Sequence, residues 1–192
     1  MSKEKLKSMM ILVAIIILLF IVAVGIVLAV KSNIPEETVN PTDVTYVADT
    51  NTIIIKNIIS VSEDFGKNID EENGGAFGYL HFNVVNQSNE ERNFQIYITK
   101  GTPFIDEINS NYITFYLTDE NNNALEGYTS NKLPSYNKLH YIEDKADSKS
   151  IYKGTLQGNE EAHFVLRVWI NESYLVTEKE ESFLFEIDAR AI

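Results

Sequence analysis

The chain has 192 residues, 44% of them hydrophobic and 23% charged, which bounds it to one ordinary domain with an appendage and excludes a disordered or fibrous polymer. It has no cysteine, which removes disulfide scaffolds, thiolate metal sites, cysteine nucleophiles and lipid attachment through cysteine. With 16 basic and 28 acidic side chains, a net charge of −12, it lacks the basic surface that nucleic-acid binding requires.

In chain order, a short amino-terminal segment (residues 1–8) carries Lys3, Lys5 and Lys7. Met9 to Val30 follows, 22 residues without a charged or hydrogen-bonding side chain, sixteen of them Ile, Leu, Val or Phe. A helix rising about 1.5 Å per residue would cover about 33 Å here, enough for the hydrocarbon core of a bilayer. The run is therefore predicted to be a transmembrane helix over 9–30. Three lysines precede it and only Lys31 follows closely, so the positive-inside rule places residues 1–8 in the cytoplasm and the rest outside. The outer part, 31–192, carries 13 basic and 27 acidic groups, a net −14. Val27-Leu28-Ala29 has the residue sizes that a signal peptidase accepts, but the apolar run exceeds the usual leader, which favours a retained signal anchor.

Residues 31–51, with Pro35, Pro41 and four acidic side chains, read as an extracellular linker. Val44, Tyr46 and Ala48 alternate with Thr45 and Val47, which leaves room for a short strand inside it. From 52 to 192 the period is two. Strands are predicted around 53–61, 79–85, 93–99, 112–117, 151–156, 163–170 and 183–190, with a short one at Tyr141-Ile142. Asn73-Gly74-Gly75, Asn86 to Asn89, Asp119 to Asn123 and Gly158-Asn159 supply turns. The pattern predicts an all-β fold, an antiparallel β-sandwich with immunoglobulin-like architecture, preceded by one membrane helix.

No constellation in this sequence points to catalysis. His81, His140 and His163 fall in no metal-binding spacing, and His140 with Glu143 would supply only two ligands. Asp119-x-Asn121-x-Asn123 begins like a calcium loop, but Ala124 stands where glycine is needed and Ser130 where the bidentate glutamate belongs. No metal, cofactor or enzymatic activity is expected. The remaining signal is aromatic: Tyr79, Tyr97, Tyr112, Tyr116 and Trp169 occupy the strand phase opposite the inferred core. They form a candidate partner surface, although cross-strand pairing that shields the sheet fits the same residues.

From Phe77 to Ile192 the chain resembles exported β-sandwich surface proteins of low-GC Gram-positive bacteria, the camelysin and biofilm-fibre group. The residues that carry the likeness are Phe82 to Ser88 (FNVVNQS), Asn93 to Ile98, Ile113 to Asn123, Gly154 to Gly158, Phe164 to Asn171 and Phe183 to Ala191. The resemblance implies an exported β-sandwich. The metallopeptidase activity associated with camelysin finds no zinc motif here to rest on. The resulting expectation is a membrane-anchored cell-surface protein that presents an acidic sandwich for adhesion, matrix or protein-partner contact. The alternatives are a secreted, self-assembling fibre subunit after leader cleavage, or an accessory or sensor subunit of a membrane complex.

Overall fold

The computed structural model describes residues 39–56, 59–102, 106–129, 132–176 and 178–192. The expected membrane helix over Met9–Val30 and its flanking lysines lie outside the described residues, among which no helix is long and apolar enough to cross a bilayer.

Among the described residues ten strands form two sheets. Sheet A takes the order β1 (Val44–Val47), β3 (Gly78–Asn86), β9 (Glu161–Ile170) and β6 (Ile113–Asp119). Sheet B takes the order β2 (Thr52–Lys56), β10 (Glu181–Ala191), β4 (Arg92–Lys100), β8 (Ser148–Leu156) and β7 (His140–Tyr141). The two-residue β5 (Asp106–Glu107) lies parallel to the start of β10, and every other pairing within the sheets is antiparallel. The layers pack face to face through aromatic rings. Phe94 of sheet B lies 6.2 Å from Phe164 of sheet A, and Phe115 of sheet A lies 5.5 Å from Phe185 of sheet B. Alternation of apolar residues along each strand supplies both inner faces, as expected for a sandwich.

The expected all-β, antiparallel sandwich is therefore present, with its own connectivity. An immunoglobulin domain pairs several sequence-adjacent strands within a sheet. Here each long strand is followed by one in the opposite sheet, and only the two-residue β7 pairs with a sequence neighbour. Residues 44–56 show the consequence. Within the stretch read as linker, Val44–Val47 form β1 and pair with the lower half of β3, Val44 opposite Asn86. The chain then changes sheets, and β2 pairs with the upper half of β10, Lys56 opposite Ser182. One segment thus lines a whole flank. Gly78 is required there, because a Cβ on it would come within 2.8 Å of Ile55 and 2.9 Å of Val168.

At the pole where the described chain begins, Asp43 pairs with Arg92 at 2.9 Å and its carbonyl accepts from the Gln87 amide. Beside it the buried Asn86 donates from Nδ2 to the carbonyls of Glu90, Leu156 and Gln157, while its Oδ1 accepts from the Ser88 amide and hydroxyl. The Asn-x-Ser turn is thereby joined to the Gly158-Asn159 turn, where a Cβ on Gly158 would meet the Asn89 carbonyl at 2.1 Å. This junction gives a physical reason for Asn86, Ser88 and Gly158 to stand where they do.

Sequence periodicity does not reveal helix α1 (Glu63–Lys67), whose five residues are too short to display a 3.6-residue repeat. Ser62 caps it by accepting from the Phe65 amide, and Glu63 pairs with Lys67 one turn on at 2.6 Å. Its importance lies in what it covers.

Candidate functional site: the covered faces and the open edge

The five residues of the expected partner surface do not form one surface. Tyr79, Tyr116 and Trp169 lie on the outer face of sheet A, where Tyr79 and Tyr116 sit opposite Arg167 from either side. Tyr97 belongs to sheet B, and Tyr112 packs on Tyr174 with ring centroids 5.2 Å apart. Tyr79, Tyr112 and Tyr116 are half-buried, whereas Tyr97 and Trp169 are buried at 3% and 0% exposure. Outward phase therefore does not mean solvent contact for these two.

On sheet A the reason is the segment from Val61 to Phe77. It is tied on by a bridge between Val61 and Asn171, and α1 is pressed so close that a Cβ on Gly66 would stand 2.2 Å from the Trp169 ring. The Trp169 Nε1–H has no acceptor among the described residues, so ring packing rather than a hydrogen bond drives its burial. Arg167 is buried beside it, and among the described residues no carboxylate forms an ion pair with it. Its guanidinium donates to the Ile69 carbonyl at 2.7 Å, to Thr118 Oγ1 at 3.2 Å and to Asn122 Oδ1 at 2.6 Å, and burial pulls its pKa below the ordinary value. These bonds clamp the covering segment and the 119–123 turn onto the sheet.

That turn is the one that begins like a calcium loop. The Asp119 carboxylate accepts from the amides of Asn121 and Asn123 and from Asn123 Nδ2, at 2.8–2.9 Å. The Asn123 side chain leads in holding its pKa below the usual carboxylate value. Asn122, at φ 63°, is thereby presented to Arg167. Among the described residues no three His, Asp or Glu side chains converge as metal ligands.

On sheet B the covering piece is the turn before β8. Lys145 donates to the Tyr97 hydroxyl and lies 4.0 Å from its ring centroid, while that hydroxyl donates to Asp188 at 2.7 Å. Asp144 accepts two bonds from Arg190 at 2.7 and 2.8 Å, which lower the carboxyl pKa.

Besides the outer edges of β1 and β2, which end their sheets, an edge that stays open among the described residues is that of β8. Its partner β7 pairs only at Ser150 and Lys149, so from Ile151 to Leu156 no strand pairs with that edge among the described residues. A bulge at Ile151 shifts the ladder by one residue. Asn93 turns its carbonyl away from β8, toward the amide of Ile192. By the alternation of an antiparallel ladder, Phe94 and Ile96 then bond Gly154 and Tyr152, while Lys153 and Thr155 turn N–H and C=O outward. The Ile151 carbonyl already accepts from Tyr128 Oη at 2.9 Å.

Beside this edge lies a groove of about 520 Å³. Its walls are β8, the 126–128 turn with Gly127 at φ 90°, and the 134–141 connection. Three tyrosines that the sequence did not single out line it: Tyr128, Tyr141 and Tyr152. Tyr141 is 72% exposed, yet it is held from below. The inward-turned Lys149 is 1% exposed and donates to the Tyr136 carbonyl at 2.9 Å. Its ammonium stands 4.2 Å from the Tyr141 ring centroid and 4.5 Å from that of Tyr136. Two aromatic faces thus take the place of a counter-ion, and burial lowers the lysine pKa. The charged residues of the groove wall are Lys138, Lys153 and the single acid Glu126. In a chain of net charge −12 this is a locally basic strip.

No protein-family model, no curated protein and no solved structure matches this chain.

Proposed function

We propose that this chain is a non-enzymatic, single-pass surface protein. Met9–Val30 anchors it, and residues 39–192, immunoglobulin-like in layers though not in connections, are displayed for adhesion, matrix assembly or a partner protein. The observation that carries this reading is the uncharged run of 22 residues with three lysines ahead of it. Supporting the display role, several ionisable groups are engaged in holding the body together: Asp144 on Arg190, Asp188 on Tyr97, and His163 on Asn83 at 2.8 Å. The Val27-Leu28-Ala29 sequence favours a second reading, a subunit released by cleavage.

Protease treatment of intact cells, followed by mass analysis of the remaining fragments, tests the proposal. Digestion of 39–192 with survival of the amino-terminal segment up to the membrane run is the expected result. An undigested body contradicts the orientation. A mature chain starting near Val30 in the medium selects the released form instead.

A further inference from the structure

Three independent features meet at the edge of β8. It has outward N–H and C=O groups at Lys153 and Thr155 without a strand partner. It has an exposed aromatic ring, Tyr141, fixed in place by a buried ammonium. It also has cationic side chains, Lys138 and Lys153, in an otherwise acidic body. We propose that this edge receives an extended, carboxylate-bearing segment of a partner protein, added antiparallel or parallel as a further strand of sheet B. The proposal rests on the display reading and names the surface and partner class it uses.

Main-chain bonds to an added strand supply affinity, and neighbouring side chains select the occupant. The pinned Tyr141 ring offers contact area whose ordering cost is already met. Charge decides between occupants. A lysine on an exposed edge ordinarily discourages edge-to-edge pairing. Two copies joined through this edge about a twofold axis would bring their Lys153 side chains close together, and like charges so placed are unfavourable. A strand carrying Asp or Glu opposite Lys153 meets the reverse situation. The opposite edge of sheet B, β2, is less suited: it has only five residues, its exposed Ile54 brings no charge, and its one lysine, Lys56, is the last residue of the strand.

The test uses the full chain in detergent micelles and two fluorescent nine-residue peptides sharing an alternating Val/Thr frame. One carries three aspartates and the other three lysines at the same positions. The aspartate peptide should bind and protect the Lys153 and Thr155 amides from hydrogen exchange, and the lysine peptide should bind at least about tenfold more weakly. Thr155→Pro removes an N–H that β4 does not use and should abolish binding while the melting transition persists. Thr155→Val loses the same side-chain bond to Asn93 but keeps the N–H, and it should bind like the parent. Lys153→Glu should invert the peptide preference. The proposal is overturned if neither peptide binds at millimolar concentration, if both bind equally, if folded Thr155→Pro still binds, or if the chain dimerises through β8. Any of these leaves the protease result, and with it the display reading, untouched.

Discussion

Strands β9 and β8 are of similar length, yet one is closed on every side and the other is not. β9 has a strand on both edges, β3 and β6, the sandwich core on one face, and α1 with the 61–77 segment on the other. From Phe164 to Ile170 every one of its residues is buried, Arg167 and Trp169 included. β8 has β4 on one edge and only the two residues of β7 on the other. The difference teaches that in a sandwich the second face of a strand is decided by which connection lies over it. Here connections reach over β9 and over Tyr97 of β4, and leave the end of β8 without a strand partner among the described residues.

The largest expected effect comes from alkali, because it attacks the covered regions together. Burial pushes Tyr136 and Tyr174 up to about 12, and pushes Tyr46, Tyr97 and Tyr128 higher still. A tyrosine raised in the folded state contributes stability that is whole below its unfolded pKa of about 10 and is lost as pH rises toward the folded value. Phenolate absorbance should therefore lag behind that of the unfolded chain above pH 10, and then rise cooperatively as the protein unfolds. Smooth titration of all ten tyrosines near the ordinary value would contradict this burial.

Next, Trp169→Ala should cost about 3–5 kcal/mol in urea unfolding, the range for a buried aromatic, although its strand phase is nominally outward. Gly66→Ala should cost less, about 1–3 kcal/mol, by pushing α1 off the ring, and should redden the emission of this single tryptophan. A Trp169→Ala cost near zero would mean that α1 does not cover sheet A.

Most strands were legible because alternation is local. The predicted strands at 79–85, 93–99, 112–117 and 163–170 match β3, β4, β6 and β9 to within a few residues, and the Tyr141-Ile142 strand appears as β7 one residue earlier. Pairing was not legible, since a period of two says which face a side chain takes and nothing about which edge meets which. The outward residues misled for a related reason. Trp169 is covered by Gly66, about a hundred positions away, and a glycine leaves no hydrophobic mark in the sequence. The groove tyrosines escaped notice because Tyr128, Tyr141 and Tyr152 come from three separate segments. Their only local signal was the brevity of the strand expected at Tyr141, which implies a long neighbour left without a full partner.

Site-resolved amide hydrogen exchange on the full chain measures that contrast directly. The closed-strand account predicts that the amides of Lys153 and Thr155 exchange rapidly, while those of residues 164–169 in β9 exchange only with global unfolding. Slow exchange at Lys153 and Thr155 in the unliganded protein, or rapid exchange along β9, would contradict it.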